Sequence, residues 1–483
     1  MHSSLAVLNK YRLEIIAFGA GAIVMILELV GARLIAPYFG TSLYVWTAVI
    51  GVILGALAAG YWYGGRLADM GATPARLMRL LVMAALLIAA TMVLQETVLG
   101  LLERNVGDVR VSAFLAALLL FAPASLLLGA VSPYIVRLRL TTLESAGATV
   151  GRLSAAGTLG SIAGTFAAGY FLIALFGSRQ LGFGLVAALI AVSFLASRRG
   201  WVLPRVILAL LALLLASGVT PVNDRVIADV DTAYSRYQVV ESSENRHVRR
   251  LVTDPLTSQS ASLAGDPDRL LFQYTQAFMT VADTLRPADS LVIGGGTFTF
   301  PHALARKYPD SRVVAVEIDP ALTEIARQHF NLRDRDNLSI VNADGRVYIN
   351  HPTDDATFDV VYIDAFSSLT PPYQLMTAEA VAGMRNALKP GGSVIANVIA
   401  VPQSEYLSSV VSTYREQFDV VEVYQYSQGA ASDGPQNVLL LATDQKSTRQ
   451  RLDTSLASQR LTVGSARPLT DNYAPVEQLV EAQ

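Results

Sequence analysis

Seven apolar stretches crowd into the first 220 residues, near positions 13–36, 43–65, 77–102, 110–136, 150–176, 180–197 and 202–219. A helix needs about 20 apolar residues to cross the hydrocarbon core of a bilayer. Residues 1–220 are therefore predicted to form a transmembrane domain of about seven helices, placing the chain in a cell membrane as a multi-pass protein with lipid around it. Met1 to Lys10 lacks the small-residue cleavage pattern of a signal peptide and the first run outlasts signal-peptide length, so it reads as a retained first span. Gly160 and Gly164 have the small-xxx-small spacing that lets helices pack closely.

Basic residues gather on alternate connections: Lys10 and Arg12, then Arg66, Arg76 and Arg79, then Arg137, Arg139 and Arg152, then Arg198, Arg199 and Arg205. By the positive-inside rule these connections are cytoplasmic. Seven spans would then deliver the rest of the chain to the opposite side, unless a run such as 202–219 is re-entrant or interfacial. The sequence leaves both open. Glu28 lies deep in the first run, where a carboxylate is costly unless it is paired or lines a polar path, and Arg33 is a candidate partner.

Beyond residue 220 the composition changes. Up to that point there are 15 Lys+Arg against 7 Asp+Glu; afterwards there are 22 against 32. An acidic second half argues against nucleic acid as a partner and mildly favours a cationic substrate. The chain has no cysteine, hence no disulfide, thiolate metal site or cysteine nucleophile, and its five histidines show no ligand spacing, so no metal is expected.

The second half opens with short β-rich pieces, Arg236 to Glu241 and Val248 to Val252, predicting a small antiparallel sheet, followed by a helix over Phe272 to Leu285. This small β-rich region with its linking helix is set at 221–285. From Ser290, apolar strand runs alternate with helical segments, which predicts a parallel, doubly wound Rossmann-like sheet in a catalytic domain over 286–483. The first strand runs into Gly294, Gly295 and Gly296, where the absence of side chains lets a ligand approach backbone amides. The next strand ends in Glu317, suited to accept both hydroxyls of a ribose. A third leads to Asp344 and Gly345, beside the expected adenine position, and a fourth delivers Asp364 at the carboxyl edge where such sheets do their chemistry. Each piece alone has a bland reading, a tight turn or a helix cap. In series they describe a class I methyltransferase-like site for an S-adenosyl nucleoside.

This ordered set resembles the spermidine synthase (polyamine aminopropyltransferase) family of polyamine biosynthesis, in its membrane-fused form, from about Asp231 to Gly392. The resemblance implies transfer of an aminopropyl group from decarboxylated S-adenosylmethionine to a polyamine, releasing methylthioadenosine, with no tightly bound cofactor. It places Tyr237 and Gln238 at the start of the small β-domain and Gln259 after its turn, and Tyr274 at the opening of the next helix. It makes Glu317 the ribose acid, Asp344 the adenine-contacting acid and Asp364 the general base. Two positions depart from the family: Thr297 and Ser367 stand where soluble members carry aspartates that hold the cationic groups. Asp471, in the tail, is a candidate replacement. A homodimer is compatible with this reading.

Two other functions fit the same residues. One is methyl transfer from intact S-adenosylmethionine, which uses the same fold and ribose acid. The other is a transporter with a nucleoside-sensing domain, since Gly64 to Asp69 resembles the short basic loop of major-facilitator transporters. The β-rich segment favours aminopropyl transfer, because methyltransferases do not need it.

Overall fold

The computed structural model describes residues 10–40, 42–140, 142, 145–197, 201–216, 226–232, 234–241, 247–253, 258–263, 266, 269–351, 357–365, 372–425, 434–456 and 459–481. The chain divides into two compact units, one comprising residues 1–222 with 230–236, the other 223–229 with 237–483.

The first unit is helical: α1 (Arg12–Phe39), α2 (Leu43–Asp69), α3 (Pro74–Asn105), α4 (Val109–Leu120), α5 (Ala122–Arg139), α6 (Ala146–Ala167), α7 (Ile173–Phe176), α8 (Ser178–Ala196) and α9 (Val202–Ala216). Among the described residues five segments are long and apolar enough to cross a membrane, with α6 counted through the π-turn that follows it, and α4 with α5 makes a sixth if that bent pair is one span. The sequence predicts about seven helices, with the run 202–219 open to a re-entrant or interfacial reading. The fourth run is broken by 52° at Phe121, because Pro123 in the first turn of α5 supplies no backbone N–H to the preceding turn. Among the described residues the seventh run is a helix of 15 residues, Val202–Ala216.

Small residues bring these helices together. A Cβ on Gly160 or Gly164 would collide with the backbone of α1 at Phe18 or Ala22, and one on Gly60 or Gly64 with the backbone of α5. Arg33 makes a long-range bond: its guanidinium donates to Asp231 at 3.2 Å and to the carbonyl of Thr232 at 2.5 Å. The other Asp231 oxygen accepts the amide of Ser178, at the amino terminus of α8, at 2.9 Å.

The second unit holds two sheets. The smaller, in which residues 230, 231 and 236 belong to the first unit, has the order β1 (Val226–Asp231), β2 (Arg236–Glu241), β3 (Val248–Val252), β4 (Ser258–Leu263), with β2–β3 and β3–β4 antiparallel. Helix α10 (Gln273–Leu285) follows, and then the main sheet and its helices: β5 (Asp289–Ile293), α11 (Thr299–Lys307), β6 (Arg312–Glu317), α12 (Pro320–His329), β7 (Leu338–Asn342), α13 (Gly345–Asn350), β8 (Phe358–Ile363), α14 (Ala378–Asn386), β9 (Leu388–Ala400), α15 (Glu405–Arg415), β10 (Val420–Gln425), β11 (Gln436–Thr443), α16 (Lys446–Ser455), β12 (Gln459–Leu461) and α17 (Val476–Glu481).

Its order is β12-β10-β11-β9-β8-β5-β6-β7. The five strands from β9 to β7 are parallel, as expected of a doubly wound sheet. The sheet as a whole is mixed, which corrects the fully parallel expectation. β11 runs back antiparallel to both β10 and β9, with no helix among the described residues between β10 and β11. Such a direct return needs no crossover.

Alternate strand residues enter opposite cores. Leu291, Ile293, Val314, Val316 and Val361 pack with Val381 and Met384 of α14 and Val410 and Tyr414 of α15. Val292, Val313, Ala315, Val360 and Tyr362 pack with Phe278 of α10 and Leu304 of α11. Helices on both faces explain why these strands are apolar throughout rather than alternating.

Candidate functional site

The carboxyl ends of β5, β6, β7 and β8 lie side by side, so the loops that follow them converge. After β5, Gly294 has φ +92°, and a Cβ there would strike the backbone carbonyl of Asp364 after β8; glycine is what lets these two strand ends close together. The Asp364 amide completes the junction by donating to the Ile293 carbonyl at 2.8 Å.

Glu317, 7% exposed at the end of β6, faces the glycine loop. Its Oε2 accepts the amides of Gly295 at 2.9 Å and Gly296 at 3.0 Å, and its Oε1 accepts the amide of Asp319 at 3.1 Å. Burial raises its carboxyl above the ordinary value, a push opposed by the three amides and reinforced by the charge of Asp319. A carboxylate offers about four lone-pair sites. Three of these are occupied by backbone donors, which fixes the orientation of the group.

Asp364 is half-buried, and its Oδ1 accepts the amide of Asn397 on β9 at 3.1 Å. Burial pushes its carboxyl up to about 6, against hydrogen bonds from Asn397 and the Tyr274 hydroxyl that hold it down; the charge of Glu317 adds to the rise. Tyr274, in the first turn of α10, is held between aromatic neighbours, with its ring centroid 5.8 Å from that of Phe272 and 5.9 Å from that of Phe278. The result is a carboxyl that titrates near neutrality at the edge of the sheet.

Thr297 is buried, and its amide lies 3.4 Å from the Ser260 hydroxyl on β4. This contact brings β4 against the glycine loop. Gln259, the neighbour of Ser260, sits where the β3–β4 register shifts. On β2, Tyr237 is buried and Gln238 donates to Asp229 of β1 at 3.0 Å. Asp344 caps α13, its Oδ1 accepting the amides of Arg346 at 2.7 Å and Val347 at 3.1 Å, and the adjacent Gly345 leaves no room for a side chain against Ile293. Asp471 forms an ion pair with Arg346 at 2.9 Å and accepts the Thr377 hydroxyl at 2.7 Å. Ser367 lies outside the described residues.

The glycine loop, Glu317, Asp364, Tyr274 and Thr297 thus share one region. Asn397 and Ser260 belong to it as well and were not anticipated. Asn397 had a signal: it is a lone amide in the otherwise apolar run Val394 to Ile399 of an interior strand. If Asp364 acts as a base, removing the Asn397 amide should move the acid limb of the pH profile. An Asn397→Ala variant is expected to place the rise of kcat/KM at a pH above 6, because the lost bond stabilised the ionised carboxylate. A pH–rate series on both proteins checks this, and an unmoved limb would separate Asp364 from the titration.

Fold and strand-end carboxylates together define a methyltransferase-type Rossmann domain. A family model described as a methyltransferase domain matches residues 291–392. Within that class, the carboxy-terminal half of the chain is similar to polyamine aminopropyltransferases. It is 30% identical over 194 residues to a polyamine aminopropyltransferase of Vibrio vulnificus, an alignment covering 39% of this chain and 63% of the relative. It is also 29% identical over 154 residues to an eEF1A lysine and N-terminal methyltransferase homologue of Drosophila pseudoobscura, covering 28% of this chain and 22% of that protein. The chain therefore spans less than two thirds of the length of either relative. A crystal structure of a probable spermidine synthase from Corynebacterium glutamicum aligns with 52% of this chain and 97% of its own, at 21% identity and a TM-score of 0.44.

Proposed function

We propose that the carboxy-terminal half transfers an aminopropyl group from decarboxylated S-adenosylmethionine to a polyamine, held at a cell membrane by the helical half. The observation that carries this reading is Asp364, a carboxyl poised near 6 beside the glycine loop and Glu317. An amine must lose its proton to act as a nucleophile, and a base titrating just below neutrality takes it while remaining mostly ionised. The amine nitrogen attacks the carbon next to the sulfonium, the carbon–sulfur bond breaks, and sulfur leaves with the bonding pair as neutral methylthioadenosine. The proton passes to Asp364. Glu317 holds the ribose through its remaining lone pair or in exchange for a loop amide, and Asp344 contacts the adenine side while capping α13. Gln238, Gln259, Tyr237 and Tyr274 line the substrates, and no metal takes part. The similarity to proteins named polyamine aminopropyltransferases supports the same class.

Methyl transfer is the second reading, and Thr297 favours it, because it places a neutral group where the soluble aminopropyltransferase pattern has an acid. The matched methyltransferase-domain model and the Drosophila relative point the same way. The transporter-sensor alternative receives no support from these relatives.

Steady-state kinetics with decarboxylated donor over a panel of diamines and longer polyamines tests the acceptor. With Thr297 and Ser367 neutral and Asp471 paired to Arg346, putrescine is expected to show a KM at or above about 1 mM, the upper end of the usual range. Ser367→Asp is expected to lower that KM several-fold by adding a charge for the ammonium group. Tight putrescine use, unchanged by Ser367→Asp and by Asp471→Asn, would locate the cation-binding acids elsewhere.

A further inference from the structure

The helical unit has two ends that hydrogen bonds identify. At one, Arg139 at the close of α5 donates to the Lys10 carbonyl at 3.4 Å, and Arg152 of α6 pairs with Glu14 of α1 at 3.0 Å. At the other, Asp231 bridges Arg33 near the close of α1 and the Ser178 amide at the opening of α8. Arg12 and Arg33 are 21 residues apart on one helix, about 31 Å along its axis at 1.5 Å per residue. That is the thickness of a hydrocarbon core.

Helix α8 records what the chain does between them. Arg205, at the start of α9, donates to the Ser193 hydroxyl at 3.3 Å and the Ser197 carbonyl at 3.0 Å, so α9 begins beside the carboxyl end of α8. By Asp231 the chain is bound to the amino end of the same helix. It has travelled the length of α8 from one end of the bundle to the other. A re-entrant segment would have brought it back to where α9 began.

The charge is one-sided. Among the described residues up to residue 220, nine Lys and Arg residues (Lys10, Arg12, Arg66, Arg76, Arg79, Arg137, Arg139, Arg152 and Arg205) belong to the Lys10 end, against Arg33, Arg104, Arg110 and Arg179 toward the other. Short connections rich in Lys and Arg stay in the cytoplasm. We infer that the chain leaves the helical unit on the non-cytoplasmic side, with Asp231 as the latch on α1 and α8, so that the carboxy-terminal half works outside the cytoplasm. This rests on the membrane part of the proposed function and not on the reaction.

The chain has no cysteine, so single-cysteine variants report sidedness directly. Ala75→Cys, exposed in the first turn of α3 beside Arg76, and Ser447→Cys, exposed on α16, are labelled with a membrane-impermeant maleimide in right-side-out and in inverted vesicles, all carbonate-washed. Ser447→Cys is expected to label in right-side-out vesicles and Ala75→Cys in inverted ones, with both labelling in detergent. Labelling of both positions from the same side, or of Ser447→Cys only in inverted vesicles, overturns the inference. Release of the protein by carbonate would instead overturn the membrane reading on which it rests.

Discussion

Asp364→Asn is expected to lower kcat by about 10²- to 10⁴-fold, the contribution typical of a positioned general base. Nucleoside binding should stay within a few-fold of the parent protein. Asparagine keeps the shape of the side chain and one oxygen to accept the Asn397 amide, so the loss is confined to the proton acceptor. The parent kcat/KM should rise with pH and level off above about 6, because the base works only when ionised and burial sets its pKa there. Isothermal titration with methylthioadenosine beside a turnover assay separates binding from chemistry. Undiminished turnover in the variant would remove Asp364 from the base role.

Glu317→Ala is the second large effect, expected to weaken nucleoside affinity by roughly ten- to a hundred-fold, the equivalent of a lost charge-assisted hydrogen bond of about 1.5–3 kcal/mol. The variant also leaves the amides of Gly295, Gly296 and Asp319 without their acceptor, so some of the loss comes from a loosened glycine loop. A 2′-deoxy nucleoside separates the two contributions in the unmodified protein, where the loop is intact. It should bind more weakly than the ribose form. Equal binding would mean that Glu317 serves the loop and not the ligand.

These residues were legible in the sequence because each stands at a strand end, where an apolar run stops at a glycine or an acid. Val292-Ile-Gly and Tyr362-Ile-Asp are such transitions, and the parallel core they belong to follows from strand–helix alternation. The antiparallel return of β11 was less visible, since an apolar run such as Val438 to Ala442 looks the same in either direction. The break at Phe121 was written in Pro123 but masked by continuous hydrophobicity on both sides.

Long-range pairs were beyond sequence reading altogether. Arg346 and Asp471 are 125 residues apart, and Arg33 and Asp231 are 198 apart. Spacing along the chain offers no hint that they meet. For Asp471 the consequence is functional, because its charge is already met by Arg346, which weakens its case as a replacement for the acids missing at positions 297 and 367.

The most direct test of the proposed chemistry is the identity of the nucleoside left after turnover with a polyamine acceptor and each donor in turn. Aminopropyl transfer leaves methylthioadenosine from the decarboxylated donor, with loss of product in Asp364→Asn, and this is the predicted result. S-adenosylhomocysteine formed from intact S-adenosylmethionine, with no methylthioadenosine from the decarboxylated donor, would contradict it and assign the site to methyl transfer.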